Sequence, residues 1–221
     1  MIGLELVEES RNELVYQCLL NYNDLPLGRV IKNMYGLVLS MLEDSMAALK
    51  DHNLEISEDV IQRDDDVDRF YFLSVRQLNT SIEDIKLSEK IGIRYPRDCL
   101  GYRLITKSIE RVGDHAVRIA RSVLKMSTVV NPEDPIFKMA ELSRGVFESS
   151  IDSMTQEDIQ AINQLVMKAK KVSQFGVSLE SREIEGPANI ELNMVLESLR
   201  GVAEYSGDIA EVAINMTIVR I

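Results

Sequence analysis

The chain has 221 residues, 45% hydrophobic and 5% aromatic with no tryptophan, and a formal net charge of −11. That balance supports a real core and argues against nucleic acid as the main partner, because phosphate binding needs a basic footprint. No apolar run is long enough to span a bilayer, no signal peptide opens the sequence, and Cys18 and Cys99 lack metal-type spacing, which together point to a reduced cytoplasmic setting.

In residues 1–23, Leu4 and Leu6, then Leu14, Tyr16 and Cys18, alternate with less apolar neighbours on either side of Glu9-Ser10-Arg11-Asn12. The pattern predicts two short strands joined by a turn, a hairpin that is marginal in water without a partner. Asp24-Leu25-Pro26 reads as a helix start, and Ile31, Met34, Val38, Met41, Leu42, Ser45 and Leu49 continue one helical stripe up to the interruption at Asp51-His52-Asn53. A second helix is expected from about Ser57 to Asn79, followed by a polar connection to Tyr95. Pro96 opens a third helix running to Met126, and Asn131-Pro132 with Asp134-Pro135 closes the unit.

The third helix carries its apolar stripe at Ile105, Ile109, Val112, Ala116, Ile119, Ala120 and Val123. Glu110 and Asp114 lie one turn apart on the opposite face. The same pattern returns at Ala203-Glu204-Tyr205-Ser206-Gly207-Asp208-Ile209-Ala210. A shift of 105 residues lays Met34 on Met139, Glu43 on Glu148 and Phe70 on Phe175, while a shift of 94 lays Glu110 on Glu204 and Asp114 on Asp208. The missing residues fall in the link between second and third helices, marked in the second copy by Gly186-Pro187. The expectation is an all-α fold of six helices in two tandem three-helix bundles, residues 24–130 and 131–221, with the hairpin of residues 1–23 ahead of them.

Candidate chemistry is acidic. On the second helix Val60, Val67, Tyr71, Val75 and Leu78 define the apolar arc; Asp64 falls near its centre and Asp68 near its edge, whereas Asp65 and Asp66 face away. An ionised carboxylate on a packed face is costly unless paired or coordinated. Two readings stay open: a hard cation held by oxygen ligands, or a solvated face neutralised by Arg63, Arg69, Arg103, Lys107 and Arg121. In the second repeat Glu197, Glu204, Asp208 and Glu211 form one strip near Arg200, but Ala169 and Ser173 stand where the first has Asp64 and Asp68, and Lys170 and Lys171 can pair with the strip instead. His52 sits in a link and His115 points away from Asp114, so both read as solvated or capping. No phosphate loop, no nucleophile–His–acid grouping and no Glu-x-x-His spacing of a carboxylate-bridged metal oxidase is found, so the sequence reads as no enzyme.

These residues resemble the PhoU family of phosphate-uptake regulators over residues 24–221. The likeness is carried by Val60-Ile61-Gln62-Arg63-Asp64-Asp65-Asp66-Val67-Asp68-Arg69-Phe70-Tyr71, by the helix holding Ile109 to Ala116, and by Gly92-Ile93-Arg94-Tyr95-Pro96-Arg97, which is similar to archaeal members. The resemblance implies two three-helix bundles related by a pseudo-twofold, and surface Glu/Asp-x-x-x-Asp motifs that bind iron or another hard divalent cation. Carried over, it names Asp64, Asp68, Glu110 and Asp114, with Glu204 and Asp208 in the reduced second repeat. It implies a cytoplasmic homodimer that damps phosphate import through the ATPase of the phosphate ABC transporter and a signalling partner, peripheral to the membrane and not inserted in it. In longer archaeal relatives a DNA-binding domain similar to AbrB precedes this region, and this chain starts at Met1-Ile2-Gly3 in mid-domain. The alternative expectation is therefore the sensing or dimerising half of a transcriptional regulator, with this chain a fragment or a relative that has lost that domain.

Overall fold

The computed structural model describes residues 4–9, 14–18, 25–93, 95–127, 129–155, 158–180 and 189–218. Strands β1 (Leu4–Glu9) and β2 (Leu14–Cys18) pair antiparallel, with Leu4 opposite Cys18, Leu6 opposite Tyr16 and an irregularity between Leu6 and Glu8. Among the described residues no helix lies against this pair. The expected turn around Ser10-Arg11-Asn12, the helix start at Asp24, Arg94 and the Gly186-Pro187 link lie outside the described residues.

The interruption at Asp51-His52-Asn53 is a back-to-back pair of caps. Helix α1 (Leu27–Asp51) ends on His52 in the left-handed conformation at φ 50°, and Asn53 then opens α2 (Leu54–Glu83) by accepting from the Ile56 N–H at 3.1 Å. That cap starts α2 earlier than Ser57. Asp84 ends α2 and caps the short helix α3 (Ile85–Lys90), accepting from the N–H groups of Lys86 and Leu87. The stretch expected as a plain polar connection thus contains a helix, too short to display a period. It also buries Ile91 and Ile93 and turns at Gly92, whose φ of 85° favours glycine. Helix α4 (Asp98–Lys125) begins two residues past Pro96.

The second unit repeats the plan with α5 (Pro135–Asp152), capped by Asp134, then α6 (Ile159–Glu180) and α7 (Asn189–Ile218). Helices α1, α2 and α4 form one three-helix bundle and α5, α6 and α7 the other. The aligned positions Met34 and Met139 are both fully buried. All seven stripe residues of the third helix, Ile105 through Val123, are buried as well.

Two seams join the bundles. In the first, α4 crosses α7 antiparallel: the His115 ring lies flat against Gly201, and Met216 covers Gly101. A methyl group at Gly201 would fall 2.2 Å from His115 Nε2, so the helices approach this closely only because no side chain stands there. In the second, between α1 and α5, the Tyr35 and Phe147 rings meet at 5.1 Å, and Arg144 ties its own helix neighbour Glu148 to Glu43 of α1. Glu43 and Glu148 are the residues that the 105-residue shift superposes, so one guanidinium bridges equivalent positions of the two repeats. Burial, with Glu148, Asp152 and Glu43 close by, pushes the Tyr35 hydroxyl up to about 12 against the pull of Arg144. Among the described residues, no helix is long and apolar enough to cross a membrane.

Candidate functional site

Helix α2 presents its arc as the sequence pattern requires: Val60, Val67, Tyr71 and Leu78 are buried against α1 and α4, Asp65 and Asp66 are exposed, and Asp64 is half-buried between them. Gly113 on α4 lets the two helices close up, its missing Cβ being 3.4 Å from Val67 Cγ1 and from Val38 Cγ2. The approach sets Asp64 and Asp68 beside Glu110 and Asp114. Partial burial, then the carboxylates of Asp114 and Asp68, push Asp64 up to about 6, with Arg121 acting the other way and Glu110 adding to the rise. Asp68 is raised by burial and by Glu110, and pulled back by Lys107. The first-repeat carboxylates named from the sequence therefore share one electrostatic neighbourhood across α2 and α4.

The five neighbouring cations divide in a way that the sequence did not disclose. Arg63 turns to α1, meeting Asp44 at 2.6 Å and its own helix's Asp59 at 2.7 Å. Arg69 pairs with Asp66 on the solvent side. Arg103 lies over the Tyr71 ring. Lys107 reaches into the group: its Nζ donates to both Glu110 oxygens at 2.6 Å and sits 5.0 Å from the Tyr71 ring centroid. The fifth, Arg121, is near enough to pull Asp64 back toward its ordinary range.

In the second repeat the superposed positions Ser173 and Glu204 are in contact, the serine hydroxyl donating to the Glu204 carboxylate at 2.8 Å. Ala169, which stands where the first repeat has Asp64, packs against Gly207. Lys170 sits 3.4 Å from Glu211 and Arg200 3.5 Å from Glu204, while Glu197 pairs with Arg118 of α4. The pairing of Lys170 with the strip follows the sequence expectation. The short side chains leave an open cavity of about 330 Å³ lined by Val166, Ala169, Ser173, Gly207, Asp208 and Glu211 among others. Burial, then Glu211 and Glu204, raise the Asp208 carboxyl.

The oxygen-only donor set suits a hard cation in kind. In geometry it does not fit as it stands, because among the described residues no three acidic, histidine or cysteine groups converge as ligands, and Glu110 is committed to Lys107. His115 corrects an expectation. It is not solvated but lies at the α4–α7 seam, tilted against the Tyr205 ring at 5.7 Å, with Nδ1 buried and lacking a hydrogen-bond partner among the described residues. Burial, then Arg118 and Arg111, lower it to about 4, so the ring is neutral at pH 7. Its neighbours there, Arg111, Arg118, Glu197, Arg200 and Glu204, line a polar cleft of about 260 Å³.

Comparison with known proteins places these elements in a family context. Residues 31–123, which hold most of α1, all of α2 and α3 and nearly all of α4, match the PhoU domain. The chain is 28% identical over 180 residues to a phosphate-specific transport system accessory protein PhoU homolog of Aquifex aeolicus, covering 76% of each chain. A homolog of the same description from Clostridium acetobutylicum is 30% identical over 98 residues, spanning 44% of this chain and 42% of that protein's length. Among solved structures, the phosphate transport system regulatory protein PhoU of Streptococcus pneumoniae superposes with a TM-score of 0.73 at 17% identity, over 86% of this chain and 92% of that one. PhoU of Pseudomonas aeruginosa gives 0.70 at 16% identity, over 88% and 95%. The two-bundle helical fold is shared with both.

Proposed function

We propose that this chain, which carries a PhoU domain over residues 31–123, is a cytoplasmic regulator of phosphate transport that acts by docking rather than by catalysis. The observation that carries the reading is that this domain coincides with the α2–α4 pair and its acidic face. On that face Asp65, Asp68 and Asp114 are exposed to solvent, with Asp64 and Glu110 partly buried among them. A surface of this sign complements a basic patch and sets register and encounter rate more than raw affinity. The partner in this reading is the ATPase subunit of a phosphate ABC transporter, with a signalling protein as a further contact and a homodimer as the working unit. Cation binding by Asp64, Asp68, Glu110, Asp114, Glu204 and Asp208 is a secondary part of the reading, and in the first repeat its condition is the release of Glu110.

The test is co-purification of the chain with the ATPase subunit from the same organism, for the parent and for an Asp65→Lys variant. Asp65 is exposed and, among the described residues, forms no ion pair, so the change removes no structural contact. Binding that weakens with salt and is lost in the variant is the expected result. No binding by the parent, or equal binding by both, refutes docking through this face.

A further inference from the structure

The cleft at the α4–α7 seam gathers three arginines in a chain whose net charge is −11. Arg111 and Arg118 line it from α4, two turns apart on one helix face, and Arg200 lines it from α7, so cations of both repeats meet there. Two of the three keep their donors. Arg111 stands 4.0 Å from Glu110, which is already closed on Lys107 at 2.6 Å, and Arg118 stands 3.5 Å from Glu197. Neither donates a hydrogen bond among the described residues, whereas Arg63 and Arg69 each meet a carboxylate at 2.6 Å. A guanidinium carries five N–H donors in a fixed fork that matches the oxygens of an oxyanion. The field of this pair also reaches the cleft wall, where after burial Arg118 and Arg111 are what keeps the His115 ring neutral.

The acids of the same cleft decide which oxyanion it suits. Glu197 and Glu204 line it too, with side chains 55% and 54% exposed. An ionised carboxylate accepts hydrogen bonds and donates none. It repels an oxyanion without a proton, such as sulfate, but accepts from the hydroxyl that inorganic phosphate keeps at neutral pH. A phosphate monoester loses its last proton near about pH 6, so it offers no such donor.

We propose that this cleft binds inorganic phosphate, with Arg111 and Arg118 donating to its oxygens, Arg200 facing them from the other repeat, and Glu197 and Glu204 accepting from its hydroxyl. The inference goes beyond the docking reading and stands without it. It gives the chain a small-molecule ligand at the crossing of its two repeats.

The experiment is calorimetric titration of the full chain at pH 7 and low ionic strength with sodium phosphate, sodium sulfate and adenosine monophosphate. Arg111→Gln and Arg118→Gln remove the donors, Glu197→Gln tests the selection, and Arg69→Gln, whose arginine pairs with Asp66 on the solvent side of α2, is the control. Thermal melts check folding, and Arg111→Gln, which breaks no hydrogen bond among the described residues, carries the test if Arg118→Gln loosens the seam. The chain has two histidines, so nuclear magnetic resonance of the imidazole rings reads His115 in the cleft against His52 in the α1–α2 link. The expected result is saturable phosphate binding that shifts the His115 resonance and not that of His52, weakened about tenfold or more in each arginine variant and unchanged in Arg69→Gln. Sulfate and adenosine monophosphate should bind more weakly than phosphate, with the sulfate gap narrowed in Glu197→Gln. No phosphate binding by the parent, equal binding by parent and arginine variants, or binding that leaves the His115 resonance in place overturns the site. Sulfate or adenosine monophosphate binding as tightly as phosphate overturns the choice of the free, protonated anion.

Discussion

Replacing Asp64 by asparagine should make the folded chain more stable at neutral pH. Asp64 is driven from its ordinary 3.8 up to about 6 by burial and by Asp114 and Asp68. The folded protein therefore binds this proton more tightly than the unfolded chain does. Its stability is higher below the unfolded value, falls as pH rises from about 4 to about 6, and carries the full deficit above that. Taken at face value, the rise amounts to about 3 kcal/mol of lost stability at pH 7. Because the carboxylate keeps much of its contact with water, screening reduces this to about 1 kcal/mol. Asp64→Asn keeps the shape, removes the charge and should recover that amount, an increase in Tm of about 2–4 °C for a chain of this size. The assay is urea unfolding of parent and variant in chelator at pH 7.5 and pH 4.5. The difference between them should be largest at the higher pH and shrink at the lower one. A variant that is less stable than the parent at pH 7.5, or a difference independent of pH, would show that Asp64 is satisfied where it stands and that the electrostatic account of the cluster is wrong.

Glycine positions separate two kinds of close approach. Gly201→Ala should destabilise by about 1–3 kcal/mol, because the new methyl would fall 2.2 Å from His115 Nε2 at the α4–α7 seam. Gly113→Ala meets Val38 and Val67 at 3.4 Å, so the helix-propensity gain of up to about 1 kcal/mol should offset the contact. Thermal melts ranking Gly201→Ala above Gly113→Ala would contradict the seam geometry. Phe147→Ala removes a fully buried ring that meets Tyr35 across the α1–α5 seam and should cost about 3–5 kcal/mol in chemical denaturation. A loss below about 1 kcal/mol would mean that the seam closes over the gap.

Much of the fold was legible because helical periods report on a helix's own bundle. Met34, Val38 and Met41 recur at that spacing and are all fully buried, so α1 could be read from its stripe alone. The short helix α3 could not, since six residues do not complete a period; its one local signal was Asp84, a cap residue followed by Ile85. His115 was misread for a different reason. Its position on α4 is polar with respect to α1 and α2, and only the arrival of α7 from the other repeat, with Gly201 at the crossing, makes it interior. Periodicity within one helix carries no information about a second bundle. A glycine in the middle of α7, where an alanine would favour the helix, was the available hint of a close approach.

The same limit governs the candidate site, and it shows where the two repeats are under different constraints. The 105- and 94-residue shifts superpose Met34 on Met139, both fully buried, and Gly113 on Gly207, each a close approach of the third helix of its bundle to the second. Charged positions do not follow. Arg63, which sits next to Asp64 in sequence, serves Asp44 and Asp59, whereas Lys107, three residues before Glu110, closes on that carboxylate. Proximity in sequence therefore chose wrongly in one case and rightly in the other, because a long cationic side chain goes to the deepest negative potential within reach. In the first repeat that potential is built by carboxylates brought together across α2 and α4. In the second, Ala169 and Ser173 have removed half of it, and what is left is an open cavity rimmed by the Lys170–Glu211 and Arg200–Glu204 pairs. Packing kept the repeats alike, and electrostatics gave them different surfaces to present.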